Sequence, residues 1–162
     1  MSRYATPTIF GFSLLAMSSL AACSPAYIPN TDVEDTSKNR KVVNFCEDYR
    51  HAVEEKNVGL LLKLASPRYF EDGGNTKTED DIDYSGLKEY LSTNFLKTET
   101  IRYEIRYRKI TFAENNHVLV DYTYAASYRI PGTKTPEWRH TVADNRLDLV
   151  VENDTFKITA GM

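Results

Sequence analysis

The sequence predicts an α+β domain in which three N-terminal helices pack on one face of an antiparallel sheet of about four strands. Three observations predict it. Apolar residues recur with a helical period up to Phe95. After Lys97 the period changes to two. Glycine, asparagine and proline clusters then divide the second half into strand-length pieces. A run of helices followed by a run of strands argues for helices laid on one side of a sheet.

The first helix is predicted from Val42, Phe45, Cys46, Tyr49, Ala52 and Val53, which share one face, with Lys41, Glu47, Arg50 and Glu54 off it. Asn57 is placed to cap a short second helix through Leu60, Leu61, Leu62 and Leu64, and Pro67 stops it. Residues 68–84 hold two glycines and many acids with almost no apolar pattern, which predicts a loop. Asp83 or Ser85 can cap a third helix whose Leu87, Tyr90, Leu91 and Phe95 share a face.

In the first strand Ile101, Tyr103, Ile105 and Tyr107 alternate with Arg102, Glu104, Arg106 and Arg108. A turn at Ala113–Asn116 leads to Val118, Val120, Tyr122, Tyr124, Ala126 and Tyr128 on one face of the second strand. The loop Pro131–Glu137 precedes Trp138, His140 and Val142. Leu147, Leu149 and Val151 follow with shifted parity, which predicts a β-bulge near Ala143–Asn145. A hairpin turn at Glu152–Thr155 joins the last strand, Phe156, Ile158 and Ala160.

The N-terminus reads differently. Arg3 is the only charged side chain before Asp32, and Ile9–Leu20 is a mostly apolar run of signal-peptide length. That run is short for a membrane span, which needs about 20 apolar residues. Leu20-Ala21-Ala22-Cys23 resembles the bacterial lipobox. The resemblance implies a lipoprotein signal peptide at 1–22, cleaved before Cys23. The Cys23 thiol would take a diacylglycerol, and its freed amine a further acyl chain such as palmitate. Ser24 after the cysteine resembles the sorting pattern of outer-membrane lipoproteins of Gram-negative bacteria. The expected address is the cell envelope, on the periplasmic face of that membrane, with the bilayer as partner through Cys23. Residues 23–41 are polar, with Pro25 and Pro29 near their start, and read as a flexible tether. The domain is expected over 42–162.

With Cys23 acylated, Cys46 has no cysteine partner, so no disulfide framework is expected. On its apolar face it reads as a small core residue. The formal charge of −3 argues against nucleic-acid binding through phosphate neutralisation. The chain carries 11 tyrosines and a single tryptophan, which suit either pleated sheet surfaces or the wall of a pocket.

The order of elements, together with the ending Asn145–Met162 (an apolar strand, a charged turn, then an aromatic-Lys-Ile strand), resembles the nuclear transport factor 2-like fold. The resemblance implies a curved sheet wrapped around the first helix as a cone with an open mouth. Enzymes of that family often hold an Asp or an Asp–His pair in the cone. Asp121 and Asp148 alternate out of the apolar face. His140 shares parity with Trp138, so the candidate ligand pocket comprises Tyr49, Trp138 and His140, facing one another across the cavity. No residue is assigned a catalytic role, and no metal site or cofactor is expected, because nucleophile, phosphate-loop and Cys/His spacings are absent from the sequence. The acidic cluster Glu71–Asp83 and the arginine face Arg102, Arg106 and Arg108 read as solvated surface.

Three functions remain open: a lipid-anchored, non-catalytic binding or interaction domain for a small apolar or aromatic ligand; an isomerase- or cyclase-type enzyme using a cavity histidine or carboxylate; and a structural envelope component. The lack of catalytic spacing favours the first.

Overall fold

A computed structural model describes residues 25–73, 78–132 and 135–162. The expected signal peptide at 1–22 and Cys23 lie outside the described residues. Helix α1 spans Ser37–Glu54, α2 Val58–Leu64 and α3 Tyr84–Leu96. Strands β3 (Thr100–Phe112), β4 (His117–Ile130), β5 (Glu137–Glu152) and β6 (Thr155–Ala160) form one antiparallel sheet in the order β3-β4-β5-β6. The two-residue strands β1 (Phe70–Glu71) and β2 (Ile82–Asp83) pair between α2 and α3. Strands are therefore not confined to the second half of the chain, and the ends of the acidic loop are clamped together.

Local chemistry sets the helix starts. Asn57 accepts from the Leu60 N–H at 3.0 Å, and Asp83 from the Gly86 N–H at 2.9 Å, which satisfies donors that the first helical turn leaves open. The loop ahead of α3 thus donates its last acid to the helix. Another acid of the cluster, Glu71, accepts from the Gly161 N–H at 2.7 Å and ties β1 to the chain's end. Both sheet hairpins that turn tightly use positive-φ asparagine or aspartate, at Asn115–Asn116 and Asn153–Asp154. Gly161 is required by close approach: a Cβ there would sit 1.9 Å from the Arg146 carbonyl oxygen.

The core lies between α1 and the concave face of the sheet. Val42, Cys46, Ala52, Leu61, Val120, Leu147, Leu149 and Ile158 are fully buried. Burial raises the Cys46 thiol far above its ordinary range, so it behaves as a small apolar side chain. Phe45 is half-buried and packs on Phe156 with ring centroids 5.6 Å apart.

Two expectations are corrected. The segment read as a tether is structured from Tyr27 onward. Tyr27 bridges to Glu34, the Asp32 N–H donates to the Tyr107 carbonyl at 2.9 Å, and Val33 is buried in the core. Arg106 and Arg108 donate to the Asp32 carboxylate at 2.6 and 2.8 Å. Thr36 then caps α1, which starts ahead of the apolar stripe. The stretch lacks periodicity because it docks by backbone and charge on the edge strand β3, with Val33 its buried anchor.

The second correction concerns β5. Its register with β4 is continuous from Ile130↔Glu137 to His117↔Val150, with no bulge at Ala143–Asn145. The apparent parity shift arises because Trp138, His140 and Val142 lie on the convex face while Leu147 and Leu149 lie on the concave one. The register irregularities fall between Tyr107 and Lys109 in β3 and between Asp148 and Leu149 in β5. A bulge increases local twist and bends the strand, which serves the sheet's curvature.

Candidate functional site

The concave faces of β3 and β4 outrun the helix they wrap. α1 ends at Glu54, so the sheet surface beyond Tyr103 has no helix across it other than the end of α3. The result is an open cavity of about 750 Å³. Val53 from α1, Phe95 from α3, Ile101 and Tyr103 from β3, and Ala126 and Tyr128 from β4 supply most of its wall. Register explains the set. Ile101 pairs with Tyr128 and Tyr103 with Ala126, so all four share the inward face. Ala126 leaves room where Tyr122 and Tyr124, on the same face, fill it. The lining is almost wholly apolar, with Asn94, Lys97 and Thr98 grouped at the rim.

Beneath the cavity lies a tyrosine cluster. Tyr49 meets Tyr103 edge-on at 6.3 Å, and Tyr103 meets Tyr124 at 5.5 Å. The phenols of Tyr49, Tyr103 and Tyr122 gather in this cluster, and Asn145 donates to the Tyr122 hydroxyl at 3.1 Å. Burial pushes all three phenols above their ordinary range, so they remain neutral donors and acceptors at physiological pH.

A second polar group locks α1 to the β3 edge. Glu54 accepts from the Tyr103 N–H at 3.0 Å, and the Tyr107 hydroxyl donates to Glu47 at 2.8 Å. Arg50 bridges Glu47 and Glu54 at 2.7 Å each. These contacts fix the helix against the strand that carries one wall of the cavity.

The three pocket candidates separate. Tyr49 is 4% exposed and sits in the floor, under Tyr103. Trp138 and His140 are on the other side of the sheet. Trp138 pairs with Arg129 and His140 with Ser127, whose neighbour on β3 is Arg102, and all of these point away from the core. Trp138 is 45% exposed, with the Arg102 guanidinium 5.6 Å from its ring centroid. His140 bonds the Ser127 hydroxyl at 2.8 Å. Their apolar character reads as inward only if period two is taken to mean that apolar is in. The wall residues Phe95, Ile101, Tyr103, Ala126 and Tyr128 carried a usable signal. They continue the inward parity of β3 and β4, and the face of α3, into the stretch past the end of α1.

This geometry is shared with known structures. The fold is that of nuclear transport factor 2-like proteins. A nuclear transport factor 2-like superfamily protein from Salmonella enterica aligns with a TM-score of 0.60 at 13% identity, over 75% of this chain and 86% of that one. A proposed dehydratase of the same family from Streptomyces avermitilis aligns with a TM-score of 0.64 at 10% identity, over 77% and 93%. A proposed scytalone dehydratase from Novosphingobium aromaticivorans aligns with a TM-score of 0.65 at 13% identity, over 76% and 80%. No family model and no curated protein matches the sequence. Likeness at these identities establishes the fold, and function has to be argued from the site.

Proposed function

We propose that this is a lipid-anchored envelope protein whose domain binds a small, largely apolar ligand in the open mouth of the cone. The observation that carries the binding part is the cavity itself. Its volume falls within the usual range for small-molecule sites, and its wall is apolar and aromatic with a few polar groups at one edge. Among the described lining residues there is no carboxylate and no imidazole. An isomerase- or cyclase-type reaction needs a base within hydrogen-bond reach of its substrate. Asp121 bonds Arg146, and Asp148 bonds His117, both on the convex face, and His140 lies there too. That distribution supports binding over catalysis. The dehydratase-like neighbours keep the enzymatic alternative in view, and a product formed from a ligand bound in the mouth would decide for it.

The anchor part rests on the lipobox and its Cys23 thiol. Cys23→Ser should leave the precursor uncleaved and unlipidated, and wild-type protein should partition into detergent. A variant that is processed and membrane-bound like the wild type would overturn the anchor. For the cavity, Ala126→Phe should fill the mouth and abolish binding of a neutral fluorescent apolar probe. Unchanged binding would remove the cavity as the site.

A further inference from the structure

We propose that Lys97 makes the mouth selective for a ligand that carries one anionic group on a flat or elongated apolar body. The inference rests on the binding reading above and adds the ligand's charge to it. Lys97 follows α3 directly and lies on the cavity rim beside Asn94 and Thr98. Among the described lining residues it is the one charged side chain. No carboxylate pairs with it among the described residues, whereas Arg129 is paired with Glu99 at 2.7 Å. The nearby Lys56 ammonium is committed to the backbone, donating to the carbonyls of Thr98 and Glu99 at 2.9 and 3.2 Å. It still adds positive potential at the same edge.

The interior cannot accept the charged end. An ion without a partner is costly to bury, and the wall offers apolar surface. The Tyr49 and Tyr103 phenols beneath the wall are kept neutral by burial and offer no positive charge. A ligand seated with its apolar body against Ile101, Ala126 and Tyr128 must therefore place its polar end at the rim. There it meets an unpaired ammonium while remaining partly hydrated. An anionic end is attracted and a cationic end is repelled. The pair works in a partly exposed site, so salt weakens it.

Anilinonaphthalenesulfonate and its neutral parent phenylnaphthylamine form a matched pair of probes, with one ring system and a difference of one negative charge. The full chain is titrated with each, and the ratio of the two affinities is the readout. Lys97→Met keeps the aliphatic stem and removes the charge. It should lower the preference for the sulfonate about 3-fold, within the range of an exposed ion pair. Lys97→Arg should retain the preference, and raised salt should erode it more in the wild type than in Lys97→Met, where of these two lysines only Lys56 is left at that edge. If the wild type binds both probes and Lys97→Met leaves the ratio unchanged, the charge selectivity is overturned and the cavity reading stands. If neither probe binds, or if Ala126→Phe binds both as the wild type does, the cavity reading fails and takes this proposal with it. Lys97 is exposed, and circular dichroism checks that each variant is folded.

Discussion

At one end of the cone Val118 and Val120 of β4 and Leu147 and Leu149 of β5 are buried with Leu61 and Ile158 in the core. Further along, Ala126 and Tyr128 on the same face of β4 line an open cavity. The two regions share a strand, a face and a period of two. They differ in what lies across from them. The closed end is crossed by α1 and flanked by α2 and β6, whose Ile158 carbonyl accepts from the Ser66 N–H at 2.8 Å. The mouth is crossed by neither α2 nor β6, and α1 stops at its edge. Whether an inward apolar residue becomes core or cavity wall is decided by the lengths of the neighbouring elements.

That contrast can be broken by substitution. Leu147→Ala at the closed end should cost about 2–5 kcal/mol in urea unfolding, the transfer and cavity loss of a fully buried leucine. A cost under about 1 kcal/mol would mean that this end is not close-packed. At the mouth, Ala126→Phe should change stability by less than about 1 kcal/mol, because the added ring enters open space rather than forcing a filled core apart. A loss above about 2 kcal/mol would make the mouth as tightly packed as the closed end.

On the convex face Val142 is 72% exposed, so Val142→Ser should stay within about 0.5 kcal/mol of wild type. A larger loss would show that the valine is covered in the protein as it folds in solution. The smallest effect is local and depends on pH. Hydrogen bonds from Arg106 and Arg108 hold the Asp32 carboxyl down to about 2 from an ordinary value of 3.8. The folded-state value is depressed, so this contribution is full above the ordinary value and fades as pH falls from about 4 to about 2. Protection of the Asp32 amide, taken relative to the intrinsic exchange rate at each pH, should fall over that interval while Leu147 stays protected. In Asp32→Asn the acid step should vanish, and its persistence would assign the step to another group.

The three helices and four main strands were legible because each is encoded locally. Asn57 and Asp83 mark their helix starts through side chains that reach only three residues ahead. The α1 stripe and the alternation in β3 and β4 follow from the geometry of single elements. The apolar stripe begins at Val42, five residues after the helix starts at Ser37, because the capping Thr36 lies in a segment without apolar period.

The site was legible only in part. Period two divides β5 into two sets of side chains but does not say which set faces the core. That assignment comes from register with β4, a long-range property, and it puts Trp138, His140 and Val142 outside. A single residue's slip would exchange the two faces. Asp32 likewise looks like solvated linker until tertiary contact brings Arg106 and Arg108 to it.

The sequence by itself determined the elements, their caps and turns, and the candidate lipobox, since each depends on residues adjacent in the chain. Only the tertiary structure decided which face of β5 is buried, where the N-terminal segment docks, and that the inward surface of β3 and β4 continues past the end of α1. Those outcomes depend on the relative lengths and register of segments far apart in sequence, and no local pattern records them.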